Sequence, residues 1–301
     1  MKNFLILALV GLAAQLVDGS LGMAYGVTSS TLLLATGIAP AAASAAVHFS
    51  EIGTTLVSGI SHHKLGNVDW RTVSILAVPG AIGAFAGATF LVSIPGDVAK
   101  PWVAGLLLLL GVYVVYRFLV LRGRRPQIKG RPSAAFLAPL GLFAGAMDAI
   151  GGGGWGPVGT TSLLSSGRLE PRKVVGSIDT SEFLVAVGGS LGFIIALGSQ
   201  GIEWQIAAAL LLGGVIAAPF AALLVKHLPA VVLGVAAGGL IILTNSKTIL
   251  ESLGASGTVV ASVAAVVAVA WVFALVFVVR DHRSVSRLDE SAESELAGAS
   301  A

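Results

Sequence analysis

The chain has 301 residues, of which 55% are apolar and only 11% are charged, and its mean hydropathy is +0.92. A soluble domain keeps about a quarter of its residues charged, so this composition excludes water as the main solvent. Cysteine is absent, which excludes disulfides, thiolate nucleophiles and iron–sulfur clusters. The formal net charge of +3 is spread over loops, where it indicates membrane topology rather than nucleic-acid binding.

Apolar runs that are long enough to span a bilayer as helices recur along the chain. Runs such as 105–115 and 261–279 lack the alternation of membrane strands, so we predict an all-α polytopic membrane protein with about nine to eleven membrane-embedded segments. The first run, 4–17, resembles a signal peptide. No cleavage-site pattern follows it and its pattern returns mid-chain, so we expect it to be mature structure.

The second half of the chain repeats the first at a shift of 130 residues. An acidic residue, two glycines and an aromatic residue recur in register: Asp18, Gly22, Tyr25 and Gly26 align with Asp148, Gly152, Trp155 and Gly156. One insertion later, Ser50-Glu51 aligns with Ser181-Glu182 and His48 with Asp179. Repeated halves are typical of secondary transporters, whose site lies between the halves.

In each half an interrupted segment precedes three ordinary spans. The interrupted segments are 4–36, broken at 18–22, and 134–166, broken at 148–154. If basic loops face the cytoplasm, these segments are hairpins or re-entrant elements, the halves are inverted and the N-terminus is outside; a single tilted crossing is the alternative. The predicted parts are a first repeat (1–121), a basic cytoplasmic linker (122–133), a second repeat (134–250), an additional span (251–280) and a disordered cytoplasmic tail (281–301).

Glycine runs inside apolar segments unwind a helix, and the half-helices that result can point their N-terminal amide groups at an anion. The alternative is that the glycines only let helices pack closely. The predicted substrate-binding residues are those of the two breaks and nearby hydroxyls: Gly22, Tyr25, Gly26, Gly152, Gly153, Gly154, Trp155, Thr160, Thr161, Ser50 and Ser181. Hydroxyls in membrane helices also bond their own backbone, so part of this set is expected to be structural.

Carboxylates inside apolar segments are costly, and they face a cavity, pair with a cation or stay protonated. We predict that His48, Glu51, Asp179 and Glu182 serve proton coupling or gating; a structural hydrogen bond is the alternative. For Asp18 and Asp148 we predict capping of the broken helices. The pattern predicts neither a cofactor nor a metal site, because no second His or Cys pair accompanies the histidines at 62–63.

The glycine interruptions with a nearby acidic residue, together with the stretch 62–70 that ends Gly66-Asn67-Val68-Asp69-Trp70, resemble the sulfite exporter TauE/SafE family of membrane permeases. This resemblance implies duplicated halves and the movement of sulfite, sulfoacetate or related anions across the bacterial inner membrane.

We therefore predict a multi-pass secondary transporter of small sulfur-containing anions, which exports them with proton coupling. Its expected partners are the anion, protons and the bilayer, without nucleic acid. No HExxH or GxSxG motif occurs, so the chain is not expected to be an enzyme. The alternative is a membrane accessory or assembly protein without transport activity.

Overall fold

The computed structural model describes residues 2–21, 23–119, 130–198, 201–227 and 230–299. Within these ranges all regular structure is helical, which confirms the all-α fold class. The helices are α1 Lys2–Leu21, α2 Tyr25–Ala35, α3 Pro40–Lys64, α4 Trp70–Ser93, α5 Gly96–Leu119, α6 Ala134–Gly151, the π-helical turn Trp155–Thr160, α7 Thr161–Ser166, α8 Pro171–Leu197, α9 Trp204–His227, α10 Ala230–Ser252 and α11 Gly257–Ala299.

Six of the described helices are long and apolar enough to cross a membrane. They are α4, α5, α6, α8, most of α10 and the first 25 residues of α11, and shorter apolar helices occur at Phe4–Asp18 and Trp204–Ala217. The apolar part of α11 is almost fully exposed on the protein surface, and it packs against α10. The protein is therefore polytopic, with a peripheral span at its C-terminal end.

The helix α11 continues to Ala299, whereas the sequence predicts a disordered tail from residue 281. Alanine, glutamate, leucine and arginine, which lose little conformational freedom in a helix, make up ten of the 19 residues from 281 to 299. Helical structure therefore propagates beyond the apolar span. Most of the predicted basic linker lies outside the described residues.

Both interrupted segments are broken helices. In the first half α1 ends at Leu21 and α2 begins at Tyr25; in the second half α6 ends at Gly151 and the π-helical turn begins at Trp155. In each half the first helix continues past the start of its predicted interruption and ends within it. In the second half the chain turns at Gly152, whose left-handed φ of 65° a residue with a β-carbon adopts only at a cost.

The first helix of each half packs on the fourth helix of the other half: α1 on α9, and α6 on α4. Both contacts depend on glycine. A β-carbon added at Gly11 would lie 2.4 Å from the carbonyl oxygen of Leu210, and one added at Gly141 would lie 2.4 Å from that of Leu76. These residues align in the repeat, so the two contacts are equivalent. The inversion of the halves and the outside location of the N-terminus stay predictions.

Candidate functional site

The two helix breaks meet in the interior of the protein. A β-carbon added at Gly26, in the first turn of α2, would lie 2.6 Å from the carbonyl oxygen of Gly152 and 2.7 Å from the Cα of Gly153. The Ser30 hydroxyl donates to the same Gly152 oxygen over 2.7 Å. The backbones of the two breaks are therefore in direct contact, which only glycine at these positions permits.

A carboxylate bridges each break. Oδ1 of Asp148 accepts hydrogen bonds from the amide groups of Gly154 (2.6 Å) and Trp155 (2.9 Å). Oδ1 of Asp18 accepts one from the amide of Tyr25 over 3.1 Å. These aspartates occupy equivalent positions in the repeat. They satisfy amide groups at the start of each following half-helix, so an anion at those amides would have to compete with a side-chain carboxylate.

A small cavity lies where the breaks meet. Its volume of about 10 Å³ is about what one water molecule needs. It is lined by Asp18, Met23, Ala24, Tyr25, Gly26, Val27, Asp148, Gly153, Gly154, Gly156, Pro157, Ile178, Asp179 and Glu182. Four of these described residues are acidic and none is lysine or arginine. The lining thus has the charge of a site for protons or cations, and an anion can share it only if that charge is neutralised.

Three ionisable side chains form a buried cluster beside the cavity: His48 and Glu51 from α3, and Asp148 from the end of α6. Their relative exposures are 0%, 2% and 1%. Nε2 of His48 lies 3.3 Å from Oδ2 of Asp148, and one ligand atom from each of the three side chains lies within 4.8 Å of the others. We call these residues the histidine cluster.

The repeat alignment maps the histidine cluster onto a second set, Asp179, Glu182 and Asp18, which we call the acidic cluster. All three residues line the cavity. Asp179 also accepts a hydrogen bond from the Ser58 hydroxyl, and its Oδ2 lies 3.5 Å from Nε2 of His62. No sequence pattern links His62 to Asp179, so this pairing could not have been found without the fold.

The aromatic residues of the two breaks bond to different helices. The hydroxyl of Tyr25, a residue of the cavity wall, forms hydrogen bonds with the hydroxyl of Ser50 (3.1 Å) and the carbonyl of Leu210 (3.3 Å). The Trp155 ring is fully buried, and its Nε1 donates to the carbonyl of Ile178 over 3.0 Å. Trp155 therefore anchors the π-helical turn to α8 rather than lining the cavity.

Most hydroxyls of the predicted site bond their own helices. Ser50 donates to Val47, Ser181 to Ile178 and Thr161 to Pro157, in each case at the carbonyl oxygen. The Thr160 hydroxyl is buried and has no hydrogen-bond partner among the described residues. Gly22 lies outside the residues that the structure describes.

Two contacts between elements involve residues that no pattern singles out. The Ser44 hydroxyl on α3 donates to the carbonyl of Ala149 over 2.6 Å, and the amide of buried Asn245 on α10 donates to the Thr31 hydroxyl over 2.9 Å. Both bonds hold the broken segments to neighbouring helices. A lone serine or asparagine in an apolar run gives no sequence signal beyond its polarity.

Comparison with known proteins decides the family. The Sulfite exporter TauE/SafE model matches residues 7–248. The chain belongs to this family. It is 50% identical over 283 residues to the Bacillus subtilis (strain 168) "Probable membrane transporter protein YtnM", with 92% of this chain and 93% of that protein covered. The resemblance to the TauE/SafE family is confirmed, and the chain is a multi-pass protein of a membrane transporter family.

More distant relatives carry the same kind of name. "Probable membrane transporter protein YdhB" of Bacillus subtilis (strain 168) is 28% identical, with 47% of this chain and 58% of that protein covered. A "Probable membrane transporter protein" of Xylella fastidiosa (strain Temecula1 / ATCC 700964) is 29% identical, with 57% of this chain and 64% of that protein covered. No solved structure matches the chain.

Proposed function

We propose that this chain is a permease that moves small sulfur-containing anions, such as sulfite or sulfoacetate, across the inner (plasma) membrane, in the export direction and with proton coupling. The observation that carries the proposal is the direct contact of two broken helices beside a small, polar cavity. Irregular backbone at membrane depth is tolerated where it is buried in protein or lines a cavity, and transporters place their sites at such breaks. No catalytic activity is proposed.

The cavity is too small to hold the proposed substrate. A volume of about 10 Å³ is too small for an oxyanion with three or more oxygen atoms. Binding therefore requires the two breaks to separate, which would disrupt the bond from Ser30 to Gly152 and the close contact of Gly26 with Gly153. Opening on alternate sides of this contact would give alternating access, with the substrate between the breaks.

The acidic cluster supports proton coupling. Asp18, Asp179 and Glu182 share the cavity wall with Asp148, and Glu51 lies close by. Like charges this close repel one another, and an anion in the same space would add to the repulsion. Protons on these carboxylates would remove that barrier and provide donors for the anion, so binding of the anion would depend on the protonation of the cluster.

Flux measurements in liposomes test the proposal. The purified protein is reconstituted, and fluxes of sulfite, sulfoacetate, sulfate and chloride are compared with and without a pH gradient. We expect selective flux of the sulfur-containing anions that depends on the gradient. Absence of flux for every anion would contradict the proposal and favour the accessory or assembly role.

The variant Glu182→Gln tests the coupling. It removes one titrating group from the acidic cluster, so the pH dependence of flux should become flatter. Its matched control is Glu203→Gln, an exposed glutamate in the turn before α9, which should keep the wild-type profile. A wild-type pH profile in Glu182→Gln would exclude Glu182 as a coupling residue.

A further inference from the structure

We propose that the histidine cluster, His48, Glu51 and Asp148, binds one divalent transition-metal ion such as Zn²⁺ or Mn²⁺. Two independent observations point to a ligand: the convergence of one imidazole and two carboxylates, and the absence of hydrogen-bond partners for the atoms that face one another there. Binding of the ion does not depend on the transported substrate.

The spacing of the side chains suits a single ion. Ligand atoms of the three residues lie within 4.8 Å of one another, and the separation between Nε2 of His48 and Oδ2 of Asp148 is 3.3 Å. Two ligands at about 2.1 Å from a tetrahedral ion are separated by about 3.4 Å. His48 and Glu51 are three residues apart on α3 and so share one face of the helix. Glu51, whose ligand atom lies within 4.8 Å of the other two, would be the third ligand.

Four atoms of the cluster are buried without a hydrogen-bond partner in the part of the chain that the structure describes: His48 Nε2, Asp148 Oδ2 and both carboxylate oxygens of Glu51. A buried charge without a partner is strongly unfavourable. An ion pair between His48 and Asp148 alone would leave Glu51 without a partner. One cation between the three side chains satisfies the whole cluster.

The surrounding structure orients the ligands in advance. Nδ1 of His48 lies 3.0 Å from the carbonyl oxygen of Ser44. Because a carbonyl can only accept, Nδ1 carries the proton, and in the neutral ring the lone pair of Nε2 then faces the cluster. The ring packs edge-on against Phe193 and beside Gly189, where an added β-carbon would lie 2.3 Å from its Cδ2. A hydrogen bond from the other ring nitrogen to a backbone carbonyl is typical of metal-binding histidines.

The second carboxylate is fixed in the same way. Oδ1 of Asp148 accepts the amide groups of Gly154 and Trp155, so its Oδ2 is directed to His48. An ion at this position would link α3 to the second helix break through Asp148. Metal binding would thus stabilise the break itself.

The donor set selects the kind of ion. Sodium, calcium and magnesium prefer oxygen ligands, whereas an imidazole nitrogen with two carboxylates suits zinc, manganese and related ions. Three protein ligands leave a coordination position open. If the proposed transport of anions is correct, an ion there would neutralise the Glu51 and Asp148 carboxylates and offer its open coordination position to the anion. The acidic cluster has Asp179 in place of His48, so we expect one ion per chain.

Metal binding is tested on the full chain, purified in detergent with a histidine-free affinity tag and stripped with a chelator. ZnCl₂ and MnCl₂ are titrated calorimetrically, and the bound metal is counted by mass spectrometry. We expect one ion per chain and a higher melting temperature with metal. His48→Gln and Glu51→Gln should each weaken binding by at least about 100-fold, because loss of outer-shell partners alone costs 10- to 100-fold.

Two matched variants serve as controls. His62→Gln removes a histidine outside the cluster, and Glu203→Gln removes an exposed glutamate before α9; both should bind metal with wild-type affinity. Absence of a stoichiometric ion in the wild-type protein, or wild-type affinity in His48→Gln, would overturn the proposal. These measurements do not depend on flux. If the protein binds metal but transports no anion, the metal site stands and only the proposed function is contradicted.

Discussion

The contact between the two helix breaks predicts that Gly26→Ala impairs transport. The added β-carbon would lie 2.6 Å from the carbonyl oxygen of Gly152 and 2.7 Å from the Cα of Gly153. Ordinary contact between such atoms needs about 3.5 Å, so the breaks must move apart by about 1 Å. Backbone atoms cannot rotate away as a side chain would. A displacement of about 1 Å at a site where geometry matters can cost about 100-fold in rate.

The effect of Gly26→Ala on stability should be much smaller. Replacing a helical glycine by alanine stabilises the helix by about 1 kcal/mol, and overpacking costs about 1–3 kcal/mol, so the net loss is about 0–2 kcal/mol. We therefore expect a folded protein, with a melting temperature close to that of the wild type, whose anion flux in liposomes falls by about 100-fold.

The control for this prediction is Gly105→Ala in α5, where an added β-carbon meets nothing within 4 Å. It should keep wild-type flux and a slightly higher melting temperature. If Gly26→Ala transported at the wild-type rate, the contact between the breaks would have no part in transport, and the site would have to be sought elsewhere.

Two further predictions concern stability, read as melting temperatures in detergent. Gly80→Ala should lower the melting temperature by the equivalent of up to about 2 kcal/mol. The added carbon would lie 2.6 Å from Cη2 of buried Trp155, and the overpacking cost of about 1–3 kcal/mol is offset by about 1 kcal/mol from alanine in the helix; a stabilised variant would mean that the ring relaxes freely. Asp69→Ala should cost about 1 kcal/mol at neutral pH, because Asp69 Oδ1 caps α4 by accepting the amide of Thr72 over 2.8 Å. Partial burial opposes ionisation of Asp69, but the hydrogen bond from the Thr72 amide and the positive charges of Arg131 and Lys173 together outweigh it and lower its pKa. The stabilisation is therefore present above the unfolded pKa of about 3.9 and lost as pH falls through the lower folded value, so the difference from wild type should shrink below about pH 4; a difference that is constant with pH would exclude this cap.

The second-half break could be predicted from the sequence, because four successive glycines inside an apolar segment disfavour a helix, and the first-half break could be predicted from its alignment with it in the repeat. The residues at which the helices end could not be predicted. In the second half, α6 continues through Asp148 and ends at Gly151. The left-handed φ of the next residue, Gly152, leads the chain out of the helix. An aspartate followed by apolar residues is compatible with a helix interior, and only the fold shows that its side chain reaches forward to the amide of Gly154.

The grouping of the ionisable residues could be predicted from the sequence only in part. The repeat aligns Glu51 with Glu182, which marks both as unusual carboxylates in apolar segments. The contact of His48 with Asp148 joins positions 100 residues apart, and it depends on how α3 crosses the end of α6. No spacing rule contains that information. The sequence prediction of no metal site rested on local spacing, which does not test ligands that come from separate helices.

The two clusters show how a duplicated fold can acquire two chemistries. Each cluster takes a glutamate and a second side chain from one long helix, and an aspartate from the break of a broken segment. The second position is His48 in one copy and Asp179 in the other. An imidazole that presents a lone pair to two carboxylates favours a cation, whereas three carboxylates around one small cavity favour bound protons. Under the two proposals made above, equivalent positions in the halves would therefore bind different ions, and the transported anion would meet a metal ion on one side and titratable acids on the other.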